Sequence, residues 1–94
     1  MAMKFEWDEE KAEINLKKHG ISFEKSKVVF GDPFSITTDD PDHSKKEQRF
    51  IDIGKSASGR LLVVVYTERG NKTRIISCRK ATPSERRIYE KQIK

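Results

Sequence analysis

The chain has little of what many enzymes and small secreted proteins depend on. It holds a single cysteine, Cys78, which excludes a disulfide framework and a CxxC metal site. A lone cysteine within a strand is more typical of a small buried side chain than of a nucleophile. The sequence also lacks Walker A, GxGxxG and G-x-S-x-G patterns, so nothing in it supports nucleotide hydrolysis or acyl transfer.

Long apolar runs are absent as well. There is no stretch of about 18 apolar residues and no signal-peptide core, so neither membrane spanning nor secretion is indicated and a cytoplasmic location is expected. Of the 94 residues, 34% are hydrophobic and 37% are charged. Because the apolar residues occur in periodic runs, we predict one compact domain over residues 1–94 with a heavily charged exterior.

Positive charge is concentrated in the C-terminal third. The formal net charge is +5, but residues 69–94 hold nine Lys and Arg against Glu85 and Glu90, whereas residues 1–68 carry a net charge of −2. A concentrated basic surface favours a polyanionic partner, and nucleic acid is the commonest one. The alternative is that these basic residues only solvate a terminal helix.

The C-terminal half predicts two strands and a helix. Residues 61–66 are all apolar or aromatic, as expected of a central strand covered on both faces. In the next strand, residues 73–79, simple alternation places Arg79 on the face opposite Cys78. Thr82 predicts the N-cap of a helix with Pro83 at its first position, and Glu85 completes a capping box.

The N-terminal half predicts an edge strand, two helices and a hairpin. The edge strand spans residues 4–7. The first helix has Asp8 as its N-cap, runs to His19 and is stopped by Gly20. Ala12 and Leu16 lie on its buried stripe, with Lys11, Asn15 and His19 in a polar row beside it. A second helix covers residues 23–30, and a hairpin pairs a strand starting at Phe34 with residues 48–54. The order is β-α-α-β-β-β-β-α, an α+β antiparallel meander with the helices on one side.

Arginine is the most promising functional residue type, because a guanidinium binds phosphate strongly and stabilises the charge of a phosphorane. Arg79 and Arg86 rank first, since one ends a strand and the other opens a helix after a short turn. The alternative for each is a role in positioning phosphate or in solvation. The candidates are Arg49, Arg74, Arg79, Lys80 and Arg86.

Metal-free RNA cleavage also needs groups that handle protons. His19 is a candidate, although a helix C-cap explains it equally well. Tyr89 would stack on a base or hold a proton, or else pack in the core. Glu85 is already explained by its cap, and His43 lies in a long polar loop, residues 39–47, where an inert role is the alternative. The acidic cluster of that loop lacks the spacing of a metal site, so we expect no metal or other cofactor.

Several segments, taken together in this order, resemble the BrnT family of bacterial toxins. The resemblance covers residues 5–90. The chain departs from the family pattern at Cys78, where the family often has a small residue such as Ala. The matching segments, with x for a position that does not enter the match, are FEWDEEK (5–11), Asn15, KHGISF (18–23), FxDP (30–33), DPxHS (40–44), ExRFxxIG (47–54), RLLVVVYTER (60–69), RIISxRKA (74–81) and ERxxY (85–89).

This resemblance implies a RelE-like fold and a toxin that cleaves RNA without a metal and thereby inhibits translation. It also implies a neutralising antitoxin of the BrnA ribbon-helix-helix type, through which alone the complex contacts DNA, with a toxin homodimer inside a heterotetramer as one arrangement. The candidate catalytic residues are Arg79, Arg86, Tyr89, His19 and Glu85. The candidate RNA-binding residues are Lys11, Arg49, Arg74 and Lys80.

Two other classes of function compete with the toxin. The first is a non-catalytic nucleic-acid or protein interaction module, a degenerate toxin retained for its partner. The second, a DNA-binding regulator acting alone, lacks a helix-turn-helix pattern in the sequence.

Overall fold

The computed structural model describes residues 3–40 and 47–93, so most of the predicted 39–47 loop, with His43, lies outside the described residues. The described chain is α+β, and its element order confirms the predicted β-α-α-β-β-β-β-α. The elements are β1 (Lys4–Glu6), α1 (Glu9–His19), α2 (Phe23–Ser26) with a 3-10 helix (Lys27–Gly31) directly after it, β2 (Ile36–Asp39), β3 (Arg49–Lys55), β4 (Leu61–Arg69), β5 (Lys72–Lys80) and α3 (Pro83–Ile93).

The five strands form one sheet in the order β1-β5-β4-β3-β2. The strands β2 to β5 are an antiparallel meander, as predicted, with β4 in the centre. The short strand β1 is an edge strand, also as predicted, but it pairs with β5 in parallel and makes the sheet mixed. The strand β4, which was expected to be covered on both faces, does lie in the middle of the sheet, because only there can both of its apolar faces be shielded.

The predicted alternation along β5 is wrong beyond Ile75. Opposite the Val65/Tyr66 step the register shifts, so that Val65 pairs with Ser77 and Tyr66 with Ile75. This bulge adds one residue, Ile76, to β5, and it turns every later side chain to the other face. Ile75 and Cys78 consequently share one core, and both are buried.

The helices lie on both faces of the sheet, so the prediction that they lie on one side is wrong. One core joins the α1–α2 region to the sheet through residues such as Phe23, Leu62 and Val64. The other core packs Tyr89 of α3 against Ile53, Leu61 and Val63. The physical reason is in β4, whose alternate residues are apolar on both faces and need cover on each.

The helix α1 begins and ends as predicted but turns a different side inward. Asp8 caps it by accepting from the N–H of Lys11, and Gly20 ends it in the left-handed conformation with φ 72°. Asn15, rather than Leu16, takes the inward position: Asn15 is 6% exposed and Leu16 is 49% exposed. The second predicted helix is shorter than expected, because its C-terminal half is the 3-10 segment. No helix in the described part of the chain is long and apolar enough to span a membrane.

Candidate active site

Three half-buried arginines share the sheet face on the α3 side. Arg49 and Arg74 lie on either side of Thr67, and Arg79 pairs with Val63 of the α3-side core. Cross-strand partners point to the same face of a sheet, so all three point away from α1 and α2. We call this surface, Arg49, Arg74 and Arg79, the arginine face.

Tyr89 fixes the helix α3 to the side of the sheet that carries the arginine face. The Tyr89 ring is 1% exposed, and its hydroxyl donates to Oδ2 of Asp32 at 2.6 Å. Burial raises the pKa of Tyr89 to about 12, and the hydrogen bond to Asp32 acts in the same direction. A ring in this position packs in the core and is not available to stack on a base, so of the two alternatives for Tyr89 the structure favours core packing.

Asp32 accepts hydrogen bonds from three other residues of the chain, Tyr89 among them. Its Oδ2 also accepts from the backbone N–H of Lys55 at 2.8 Å, and its Oδ1 accepts from the N–H of Phe34 at 2.9 Å. Burial alone would raise the pKa of Asp32, but the hydrogen bonds from Tyr89, Lys55 and Phe34 outweigh it and lower the pKa. Asp32 therefore stays ionised and ties α3, β3 and the segment before β2 together.

The guanidinium of Arg79 binds Glu85 in a bidentate ion pair, Nη1 to Oε1 at 2.7 Å and Nη2 to Oε2 at 2.8 Å. Oε1 of Glu85 also accepts from the N–H of Thr82 at 2.8 Å, while Thr82 Oγ1 accepts from the N–H of Glu85 at 3.2 Å, which confirms the capping box. The hydrogen bonds from Arg79 are the main cause that lowers the pKa of Glu85 to about 2. Glu85 is thus a weak base at neutral pH that orients Arg79.

Carboxylates also bind two other arginines on this side of the sheet, Arg74 and Arg69. Nη1 of Arg74 lies 3.3 Å from Oε2 of Glu6, across the β1–β5 pairing. Arg69, at the end of β4, binds Glu47 through two contacts of 3.3 Å, and these bonds lower the pKa of Glu47. The guanidinium groups are therefore held in place before any ligand arrives, and an incoming phosphate adds to or competes with these carboxylates.

The structure separates three predicted site residues from the arginine face. Lys11 and His19 belong to α1, which packs on the opposite face of the sheet. Lys80 pairs with Leu62, whose side chain lies in the α1–α2 core, so it also points to that opposite side. Arg86 is exposed on α3, and the residue that the short turn brings to Arg79 is its neighbour Glu85.

The sequence reasoning missed the role of Asp32. Its local contact with the N–H of Phe34 is an Asx-type turn, which the Gly-Asp-Pro pattern at 31–33 favours. The contact with Tyr89 joins residues 57 positions apart, and no periodicity or motif predicts such a pair.

Comparisons with known proteins bear on the family and the fold of the chain. The family model described as the ribonuclease toxin BrnT of a type II toxin–antitoxin system matches residues 7–85, a range that includes Arg49, Arg74, Arg79 and Glu85. The 1.1 Å crystal structure of the Brucella abortus ribonuclease toxin, BrnT, is similar with a TM-score of 0.64 and 26% sequence identity, over 86% of this chain and 99% of that chain. No curated protein compared with the chain matches it.

Proposed function

The chain belongs to the BrnT family of ribonuclease toxins of type II toxin–antitoxin systems, and from this premise we propose that it is a single-domain, metal-independent endoribonuclease that arrests translation by cleaving RNA. The observation that carries the proposal is the arginine face, on which Arg49, Arg74 and Arg79 project from one side of the sheet and Arg79 binds Glu85 of α3. Guanidinium groups stabilise the charge that develops at phosphorus, which supports cleavage without a metal.

RNA binds along the arginine face in this proposal. Arg49 and Arg74 are separated by two strand spacings, about 10 Å, and Arg74 and Arg79 by about 15 Å along β5. That area matches a short single-stranded segment held by several phosphates. Lys11 and Lys80, on the other side of the sheet, would contact only RNA that continues around the sheet edge.

Arg79 is the residue that stabilises the reacting phosphate. In metal-free cleavage the ribose 2′-oxygen bonds to phosphorus and the bond to the 5′-oxygen breaks; the 2′-proton passes to solvent water, and the leaving 5′-oxygen takes a proton from solvent water. Arg79 donates to the pentacoordinate phosphorane, Glu85 orients it, and Arg86 adds charge from the start of α3.

Among the described residues, no predicted proton-transfer group is well matched to neutral pH at this position. The pKa of Glu85 is lowered to about 2 and that of Tyr89 is raised to about 12. His19 lies beyond the sheet on α1. Charge stabilisation by arginine therefore supplies most of the catalysis in this proposal, with Tyr89 as a positioning residue that holds α3 through Asp32.

The proposal predicts that induction of the chain stops growth and that the purified protein cleaves RNA. Arg79→Ala should lower the cleavage rate about 100-fold or more, as removal of one transition-state donor does. Arg60→Ala, the same change in charge in the turn between β3 and β4, should leave the rate within about twofold. If the parent leaves RNA intact with and without ribosomes and does not stop growth, the chain is instead a non-catalytic interaction module.

We also propose a cytoplasmic complex with a ribbon-helix-helix antitoxin that neutralises the toxin and makes the DNA contacts. The family implies an antitoxin partner. The adjacent gene should encode a small ribbon-helix-helix protein whose co-expression restores growth. The mass of the purified complex would show whether two toxin chains pair within a heterotetramer.

A further inference from the structure

A cavity of about 370 Å³ opens on the α1–α2 side of the sheet, away from the arginine face. Its apolar wall is formed by the buried side chains of Ile21 and Leu62 and by Val28, which is 45% exposed. Lys25 and Arg60 stand at its rim together with two serines of the turn between β3 and β4. The cavity therefore combines an aliphatic floor with cations and hydroxyls at its edge.

The two rim cations differ from the arginines of the other face. Arg74 and Arg79 each bind a carboxylate of the chain itself. Within residues 3–40 and 47–93, no ion pair is formed by Lys25 or Arg60. Two uncompensated positive charges beside an apolar pocket match a ligand that carries both negative charge and an apolar group.

The lining favours a protein over a nucleic acid. Proteins that bind unpaired bases use aromatic side chains as their main stacking platforms, and the described residues that line this cavity include no aromatic side chain. A pocket of Ile, Val and Leu side chains instead fits an aliphatic anchor of the kind that dominates protein interfaces.

We propose that this cavity is a docking site for the antitoxin, which places an aliphatic side chain between Val28 and Leu62 and carboxylates against Lys25 and Arg60. The inference rests on the proposed function, since it names the place where the partner of that toxin is held. Because the cavity opens on the α1–α2 side, this anchor does not use the arginine face.

The test measures the affinity of the co-encoded antitoxin for the full-length chain by isothermal titration. The double variant Lys25→Glu with Arg60→Glu should weaken binding about tenfold or more, because reversed charges repel the acidic segment. Lys17→Glu with Lys91→Glu, which changes the net charge equally at exposed lysines outside the cavity, should stay within about twofold. Val28→Ser, at an exposed position that tolerates a polar side chain, should weaken binding about threefold to tenfold through loss of the anchor contact.

Ribonuclease activity of each variant, measured without antitoxin, separates the outcomes. Reduced antitoxin affinity with unchanged cleavage supports the docking site. Unchanged affinity in both cavity variants overturns it, and so does a loss of cleavage equal to the loss of affinity, which would make the cavity an RNA site. A parent chain that binds the antitoxin through the cavity but leaves RNA intact would refute only the proposed catalysis.

Discussion

The guanidinium of Arg79 and the carboxylate of Glu85 form two parallel hydrogen bonds, 2.7 and 2.8 Å long, that join the last residues of β5 to the first turn of α3. Glu85 also closes the capping box of α3. One carboxylate therefore starts the helix and fixes the arginine beside it. The ion pair therefore fixes the direction in which the Arg79 side chain projects from the sheet.

Glu85→Gln should lower kcat about tenfold while KM changes little. The amide keeps an acceptor for the N–H of Thr82 but cannot bind Arg79 through two charged oxygens, so the guanidinium loses its fixed orientation. Steady-state cleavage of a fluorescent RNA oligonucleotide measures both constants. Glu90→Gln, the same change farther along α3, is the matched control, and equal effects of the two variants would contradict a positioning role for Glu85.

The stability of the fold should fall as the pH is lowered from about 4.5 to about 2, with Glu85 as one cause. Its pKa is about 2 in the folded chain against an ordinary value of 4.5, so the folded state favours the ionised form. A lowered pKa stabilises the fold above the unfolded value and loses that contribution as Glu85 is protonated; partial exposure limits the effect to about 1 to 2 kcal/mol.

Urea unfolding at pH 7 and at pH 3 measures this contribution. The difference in free energy of unfolding between the two pH values should be smaller in Arg79→Ala than in the parent, because the partner that lowers the pKa of Glu85 is gone. Arg87→Ala is the control, because it removes an arginine of α3, the helix that carries Glu85. An equal pH dependence in parent and Arg79→Ala would show that the ion pair does not contribute to stability.

Local signals in the sequence were sufficient for the elements but not for the site. The capping box is a pattern of four consecutive residues, Thr82 to Glu85, and the apolar run of β4 identifies the central strand. The bulge at Ile76 has no such signal, since it depends on the pairing with β4, and it is what places Cys78 with Ile75. The side of the sheet taken by α3 likewise depends on Tyr89 reaching Asp32, a contact that no local pattern encodes.

Tyr89→Phe should lower the free energy of unfolding by about 1 to 2 kcal/mol, because it removes the hydroxyl that donates to Asp32 and leaves the packing of the ring intact. Tyr89→Ala should cost about 3 to 5 kcal/mol, since it also empties a fully buried position of the α3-side core. Thermal and urea unfolding measure both. Ile88→Ala, at a side chain that is 52% exposed on the same helix, should change stability by less than about 0.5 kcal/mol.

Asn15→Ala should destabilise the chain by about 2 to 4 kcal/mol. The Asn15 amide donates to the backbone carbonyls of Ile21 and Cys78 at 3.1 and 2.9 Å, and its oxygen accepts from the N–H of Cys78 at 3.1 Å. Alanine would leave these buried backbone groups without partners. Urea unfolding should show this loss, whereas Ile14→Ala, the exposed neighbour, should have little effect; equal results would mean that water replaces the amide.

Gly54→Ala should destabilise the fold by about 1 to 3 kcal/mol through overpacking. A Cβ at residue 54 would lie 2.9 Å from Cγ1 of Val29 and 3.2 Å from its carbonyl oxygen, closer than carbon atoms pack, and the carbonyl belongs to a backbone that cannot swing aside. Gly31→Ala is the matched control, because its Cβ would meet nothing within 4 Å. Its stability should equal or slightly exceed that of the parent, since alanine lowers the entropy of the unfolded chain. Urea midpoints of the two variants should therefore move in different directions, and a shared shift would show that the close approach of β3 to Val29 relaxes without cost.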